Sequence, residues 1–262
     1  MTWLEIVILI FSGLMVGFIN TLAGGGTIIS LSALMLVGLP ANIANGTNRI
    51  AVTIQTLTSV AFFRHHHVLD TQKGFRLGIP VIIGSILGAQ VATTLPEQIF
   101  ERIIGVIILF MLAFVVYKPQ KWLKGQIHLQ KKKVSTGQYI LFFFLGIYGG
   151  FLHVGIGYFL LASLVFNAGY DLVKANAVKV FIVLLYAPFT LLVFILHGEV
   201  HYRYGLILAA GNVIGALIAS RLSITKGTGF VRWVMIIVIL VFSSHLLGIV
   251  DIKTLIQSGL KP

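Results

Sequence analysis

Ten apolar segments dominate the chain, and a single soluble domain could not bury them all. They cover roughly residues 4–22, 27–38, 46–64, 75–95, 99–117, 137–152, 156–167, 175–197, 202–222 and 229–248. Hydrophobic residues make up 58% of the 262 positions and charged residues 10%, against about 25% charged residues in a typical soluble domain. Most segments reach the roughly 20 residues that a helix needs to cross a bilayer. The sequence therefore predicts an all-α polytopic protein of the cell membrane and excludes an ordinary soluble enzyme.

Two of these segments, the second and the seventh, are too short to cross a bilayer. Their 12 residues make about 18 Å of helix each, against a hydrocarbon core of roughly 30 Å. Each follows a glycine-rich break, Ala23–Gly26 in the first case and His153–Gly157 in the second. We therefore expect a short or broken helix after each glycine motif.

The paired breaks belong to an internal repeat. A shift of 131 residues, half the chain length, aligns the two halves without a gap over much of their length, and it places Asn45 on Asn176. The same shift pairs five glycines of each half, Gly24, Gly26, Gly38, Gly74 and Gly84 with Gly155, Gly157, Gly169, Gly205 and Gly215. With about five segments per half, the second repeat would be inverted relative to the first. The predicted organisation is a first transmembrane repeat over 1–117, a linker over 118–136 and a second transmembrane repeat over 137–262.

The charge balance indicates orientation in the membrane rather than a polyanionic partner. The chain has 19 Lys and Arg against 7 Asp and Glu, a formal net charge of +12. An external N-terminus with ten crossings places most basic residues in the cytoplasm, as the positive-inside rule requires. Eight crossings with two re-entrant segments give a similar, weaker bias, so both topologies stay open.

The basic loop 118–133 is cytoplasmic in both topologies. Its six lysines either only orient the chain or also contact anionic lipid headgroups. The loop has no stacking aromatic platform beyond Trp122, so nucleic acid is not indicated as a partner.

The glycine breaks are the first candidate binding site. A helix that begins part-way through the bilayer presents unpaired N–H groups and the positive end of its dipole, and glycines let a ligand approach that backbone closely. Two such N-termini converging near the midplane would form an anion site without a formal charge. Alternatively, the glycines only let helices pack closely. The candidate residues are Asn20, Thr21, Gly24, Gly25, Gly26, Thr27, His153, Gly155, Gly157 and Tyr158.

A second candidate group opens the third and eighth segments. Arg49 and Lys179 each lie about one turn into a helix, with Asn45 and Asn176 as the predicted N-caps. Ionisable residues inside a membrane segment are functional by default, although both side chains could instead snorkel to the interface. The candidate residues are Asn45, Thr47, Asn48, Arg49, Asn176 and Lys179.

Other polar and small residues within the segments indicate helix packing. Gln55, Gln90 and Asn212 are expected to form hydrogen bonds between helices. Three pairs of glycines four residues apart are expected to bring helices close together, namely Gly13/Gly17, Gly84/Gly88 and Gly211/Gly215.

Enzymatic chemistry is not indicated. No Asp or Glu lies deep in any segment, the chain has no Cys, and a serine without a buried base is not an activated nucleophile. His65, His66 and His67 are consecutive and would point about 100° apart on a helix, so they cannot together hold one metal ion. We predict no catalytic residue, no metal and no cofactor.

The glycine motifs resemble those of one known family. The run Gly17–Ile28, followed by Pro40 and Ala44–Thr47, together with the second-half run Gly149–Gly157, resembles the TauE/SafE family, also called the sulfite exporter or TSUP family. The second motif departs from the family's fuller glycine form, because His153 and Ile156 stand where small residues are usual. The resemblance implies a membrane transporter of sulfite, sulfonates such as sulfoacetate, other sulfur compounds or organic anions.

The residues and the resemblance together predict an exporter of small anions that works by alternating access. Its expected partners are the anion and membrane lipids, and a homodimer is one option for its oligomeric state. An anion channel and a non-transporting membrane scaffold are the alternatives. If protons are coupled to transport, His153 is the candidate carrier.

Overall fold

The structure is a computed structural model that describes residues 1–96, 98, 99, 103 and 134–246. Most of the predicted fifth segment (99–117), the basic loop 118–133 and the end of the tenth segment lie outside the described residues. The predicted linker is therefore described only at its last three positions, 134–136.

Eight helices make up the described part of the chain, which contains no strand. Four stretches are long and apolar enough to cross a membrane, Trp3–Leu22, Thr71–Thr94, Leu172–Leu196 and Tyr202–Val231. The all-helical, multi-pass prediction is confirmed. The helices are α1 (Trp3–Leu22), α2 (Thr27–Leu36), α3 (Ala41–His65), α4 (Thr71–Thr94), α5 (Thr136–Phe151), α6 (Ile156–Phe166), α7 (Leu172–Leu196) and α8 (Tyr202–Leu246).

Helix α8 joins the predicted ninth and tenth segments. The predicted loop between them is reduced to one non-helical residue, Gly227, with φ 70° and ψ −166°. Glycine adopts this left-handed φ without a steric penalty, so the chain bends there without a separate connection.

The predicted short helices are confirmed. Helix α2 has 10 residues and α6 has 11, and they begin directly after Gly26 and Gly155. The predicted N-caps are wrong, however. Helix α3 already begins at Ala41 after Pro40, and α7 begins after Asp171, whose side chain accepts from two first-turn amides at 3.0 Å. Asn45 and Asn176 consequently lie inside the helices, one turn beyond their starts.

Glycine stripes hold two helix pairs at close range. Helix α1 packs on α8, and α4 packs on α5. A Cβ on Gly17 would lie 2.1 Å from the Asn212 carbonyl oxygen, and one on Gly88 would lie 1.9 Å from that of Ile147. Because only glycine allows such backbone contact, the close-packing prediction for the three glycine pairs is confirmed.

The helices group into two bundles. We call α1, α2, α3 and α8 the first bundle and α4, α5, α6 and α7 the second, because contacts are denser within each group than between them. Within the described residues, two short loops connect the bundles, 66–70 between α3 and α4 and 197–201 between α7 and α8. Each bundle contains one helix from the other half of the sequence, α8 in the first bundle and α4 in the second.

Helices α3 and α7 are the main contact between the bundles, and they run antiparallel. At one end, Asn42 near the start of α3 donates to Glu199, which follows α7, at 3.1 Å. At the other end, Tyr170, which precedes α7, donates to Asp70, which follows α3, at 2.6 Å. Each end of the helix pair therefore carries one polar contact made by a carboxylate.

Positions related by the 131-residue shift have similar local geometry. The bounds of α3 and α7 coincide under this shift, as do the starts of α4 and α8. Gly38 and Gly169 both have positive φ, 95° and 78°. The Nδ1 atoms of His66 and His197 each lie within 2.9 Å of the carbonyl oxygen four residues earlier. These similarities agree with a duplication, and the inverted orientation of the second repeat stays a prediction.

Candidate functional site

The two glycine breaks meet in the structure. A Cβ on Gly24 would lie 2.4 Å from the Gly157 Cα, and one on Gly157 would lie 2.4 Å from the Gly24 Cα. Gly24 also has φ 98°, in the region that side chains disfavour. The first break belongs to the first bundle and the second break to the second bundle, so their contact lies at the boundary between the bundles.

A small polar cavity adjoins this contact. Its volume is about 20 Å³, enough for roughly one water molecule. Both bundles contribute to its wall. The lining residues are Asn20, Gly24, Gln55 and Thr56 from the first bundle and His153, Gly157, Lys179, Val180 and Val183 from the second.

Asn20 organises the first break. Its Oδ1 accepts from the Gly26 amide at 2.7 Å, and its Nδ2 donates to Thr27 Oγ1 at 3.2 Å. These contacts bridge the end of α1 and the start of α2, so the sharp turn at the glycines is held by one amide side chain. Gly25 leaves room for the ring of Tyr158, whose buried hydroxyl has no hydrogen-bond partner among the described residues.

Lys179 is the cation of the cavity. Its ammonium group donates to the carbonyl oxygens of Asn20 at 3.1 Å and Thr21 at 3.0 Å, and to Asn176 Oδ1 at 2.8 Å. These carbonyls end α1, where the helix has unpaired C=O groups and the negative end of its dipole. The side chain is 1% exposed, so it does not snorkel. All three of its N–H donors are occupied by protein acceptors.

Arg49 makes the corresponding contact in the opposite direction. Its guanidinium donates to the carbonyl oxygens of Gly149 at 2.7 Å and Gly150 at 2.8 Å, at the end of α5, and reaches Asn45 Oδ1 at 3.4 Å. Arg49 is fully buried and does not line the cavity. Each bundle therefore caps one helix C-terminus of the other bundle with a buried cation.

The remaining candidates lie outside the cavity wall. Thr47 accepts from the His201 amide at 2.9 Å and holds the loop 197–201. Asn48 is fully buried, and neither side-chain atom has a partner in the described part of the chain. Gly155 has φ 69° and starts α6. The structure therefore separates the candidates into cavity-lining residues and residues that support them.

Several lining residues were not in the candidate set. Gln55 was interpreted as a helix–helix contact, and that contact is confirmed, because Asn212 Nδ2 donates to its Oε1 at 3.1 Å. Gln55 also lines the cavity, as do Thr56, Val180 and Val183. Tyr186 contacts the Nδ1 atom of His153 through its hydroxyl at 2.9 Å. The polar side chains of Gln55 and Thr56 on α3 could have indicated this part of the cavity wall. Val180 and Val183 on α7 are apolar, so nothing in the sequence distinguishes them from ordinary membrane-segment residues.

The surroundings of the cavity are positive. Arg49 and Lys179 are buried, whereas no Asp or Glu of the described residues is. No group of three or more His, Cys, Asp or Glu in this part of the chain could hold a metal ion. The site can thus stabilise negative charge through the charge of Lys179, whose own N–H groups are occupied, and through N–H groups of neutral side chains.

Comparison with known proteins decides the family. The family model described as "Sulfite exporter TauE/SafE" matches residues 9–246. The chain belongs to the TauE/SafE family. It is therefore a multi-pass protein of the cell membrane in a membrane transporter family.

Relatives in this family share about a quarter of their residues with the chain. YfcA of Escherichia coli K12, a "Probable membrane transporter protein", is 28% identical over 248 residues, covering 92% of this chain and 88% of that protein. A protein of Haemophilus influenzae with the same description is 27% identical over 235 residues, covering 88% and 89%. The "Probable membrane transporter protein ORF9" of Sinorhizobium sp. is 26% identical over 235 residues, covering 88% of each. No solved structure matches the chain.

Proposed function

We propose that this TauE/SafE protein exports small anions, namely sulfur oxyanions or organosulfonates such as sulfite or sulfoacetate, and that it transports rather than catalyses. The observation that carries the proposal is a buried ammonium group, Lys179, in a polar cavity shared by two bundles. A cation buried without a carboxylate suits an anionic ligand, because the ligand supplies the missing negative charge. The description of the family as sulfite exporters supports sulfur oxyanions as the class.

The cavity must enlarge for such an anion to bind. Its volume of about 20 Å³ suits one water, whereas sulfite has four non-hydrogen atoms. Enlargement requires that the contact between Gly24 and Gly157 separates, since these two backbones touch at its wall. We infer that anion binding is coupled to movement of one bundle against the other, as alternating access requires.

The loops 66–70 and 197–201 are the proposed hinges. They connect the bundles at opposite ends of the antiparallel pair α3 and α7. Parting of the bundles at one end of this helix pair, while the other end stays closed, would open the cavity to one side only. At the end where α3 begins, the contact between Asn42 and Glu199 joins the bundles. The moving bodies would then be the bundles, each of which contains helices of both sequence repeats.

The membrane potential supplies a driving force for export. An inside-negative potential favours the exit of an anion by about 2.3 kcal/mol per charge per 100 mV. A separate proton relay is not required for this direction of transport.

The experiment is efflux from proteoliposomes that contain the purified full-length protein. Vesicles loaded with sulfite or methanesulfonate should release the anion faster than protein-free vesicles, and a positive external potential should accelerate release. Gly137→Ala is a suitable control variant, because a Cβ at Gly137 would meet only Ser135 Oγ, at 4.0 Å. Absence of flux for every small oxyanion, with and without a potential, would overturn the proposal. A flux too fast for a rocking cycle would show that the protein is an anion channel rather than a transporter.

A further inference from the structure

We propose that Tyr186 is a positioning residue that fixes the tautomer of His153, so that this histidine donates a hydrogen bond from Nε2 to the transported anion. This inference rests on the proposed function and extends it to a residue that does not line the cavity. Two observations support it. The Tyr186 hydroxyl contacts His153 Nδ1, and His153 lines the cavity wall.

The direction of the hydrogen bond follows from the partners available. Tyr186 is fully buried, and its hydroxyl has one hydrogen-bond partner among the described residues, His153 Nδ1 at 2.9 Å. If the hydroxyl accepted from Nδ1–H, its own proton would be buried without a partner, at a cost of about 1–3 kcal/mol. If the hydroxyl donates instead, its proton and the lone pair of Nδ1 are both paired. The hydroxyl is therefore the donor and Nδ1 the acceptor.

The tautomer of His153 follows from that direction. A neutral imidazole carries one proton, so a ring that accepts at Nδ1 has its N–H at Nε2. Nε2 has no partner within the described residues, and His153 is 5% exposed where it lines the cavity. Nε2–H can therefore serve as a donor to an oxygen in the cavity. In the opposite tautomer Nε2 would present a lone pair, which repels an anion.

The side-chain amides of Asn20 and Gln55 can also donate to an anion in the cavity. Asn20 Oδ1 is occupied by the Gly26 amide, and Gln55 Oε1 is occupied by Asn212 Nδ2. Each amide nitrogen makes one hydrogen bond, to Thr27 and Thr21 respectively, and so keeps one N–H. With His153 as a donor, this wall of the cavity offers N–H groups to the oxygens of an anion beside the Lys179 ammonium.

The direct test is nitrogen NMR of the full-length protein labelled with 15N-histidine in detergent or nanodiscs. The two neutral tautomers differ in the nitrogen that carries the proton, and the His153 signals are identified by their loss in His153→Gln. The expected result is Nε2–H in the wild type and a loss of this preference in Tyr186→Phe. Tyr148→Phe, which removes a nearby hydroxyl that donates to the Val154 carbonyl, should leave the His153 signals unchanged. An Nδ1–H tautomer in the wild type, or an unchanged His153 in Tyr186→Phe, would overturn the proposal.

Transport kinetics provide the second test. Tyr186→Phe should raise KM for methanesulfonate or sulfite about tenfold, the effect of one lost hydrogen bond of roughly 1.4 kcal/mol. In a His153→Gln background, where an amide replaces the imidazole, the same change should have no further effect on KM. Equal effects of Tyr186→Phe in both backgrounds would contradict a role through His153. Failure of the proposed function would show instead as absent flux in the wild type, with the tautomer result unaffected.

Discussion

Gly24 and Gly157 lie backbone to backbone, with no room for a side chain on either residue. The contact joins the two bundles at the wall of the cavity lined by Lys179 and His153. Because the two backbones lie so close, glycine is necessary at both positions. Gly157 is the better one to substitute, because its φ is not in the left-handed region and a side chain there adds only the steric overlap, without backbone strain.

Gly157→Ala should weaken both folding and transport. The new methyl would overlap the Gly24 backbone, and overpacking of this kind costs about 1–3 kcal/mol. Unfolding in detergent and anion efflux measure the two effects. The control is Gly137→Ala, which places a methyl in open space on a helix and should be neutral or slightly stabilising. A Gly157→Ala protein as stable and as active as the wild type would show that the breaks are not in contact.

Lys179→Gln and Arg49→Gln should have different effects. Lys179 lines the cavity as well as capping α1, so its loss should weaken anion binding at least tenfold, measured as KM or by competition, in addition to destabilising the fold. Arg49 lies outside the cavity and satisfies two buried carbonyl groups of α5, so Arg49→Gln should destabilise the fold by about 2–4 kcal/mol. Arg49→Lys should recover part of that stability, because an ammonium group can still donate to both carbonyls. Equal losses of affinity in both glutamine variants would place Arg49 in the binding site.

A covalent bridge across one end of α3 and α7 should stop transport. The chain has no Cys, so Asn42→Cys with Glu199→Cys introduces the only reactive pair. The side chains of Asn42, in the first bundle, and Glu199, at the end of α7, are already 3.1 Å apart. A short bis-methanethiosulfonate reagent forms a disulfide with each cysteine, releases methanesulfinate and would hold the two bundles together at that end. Each single-cysteine variant, treated identically, is the control. Undiminished flux after bridging would argue against separation of the bundles there and favour a channel.

Glu199 should make the folded protein less stable as the pH rises above about 4.5. Burial raises the pKa of its carboxyl above the ordinary value of 4.5, against the opposing effects of the hydrogen bond from Asn42 and the charge of His197. The folded protein then holds this proton more tightly than the unfolded chain, so stability falls as pH rises from 4.5 through the raised pKa.

Glu199→Gln should remove this part of the pH dependence. The amide keeps an oxygen to accept from Asn42 and carries no charge at any pH. Melting temperatures in detergent over this pH range provide the measurement. A steeper fall in the variant than in the wild type would contradict the assignment to Glu199.

Several features of the site could be predicted from the sequence because they depend on local chemistry. The short helices α2 and α6 follow from glycine runs that interrupt apolar segments. The sequence left open whether Arg49 and Lys179 are buried or snorkel to the interface, and it did not indicate the acceptors that the buried side chains contact. Those acceptors are backbone carbonyls about 100 and 159 positions away, and every residue type has a carbonyl, so no side-chain pattern could indicate them.

The sequence by itself determined the membrane environment, the positions of the breaks and the family, because hydrophobic length and glycine runs act locally. The tertiary structure decided which helices form each bundle, which helix end each buried cation caps, and that Lys179 rather than Arg49 lines the cavity. Helices α4 and α8 pack with the opposite half of the sequence because glycine stripes on α5 and α1 match theirs. Such a match depends on two distant surfaces together, so it becomes visible only when the chain has folded.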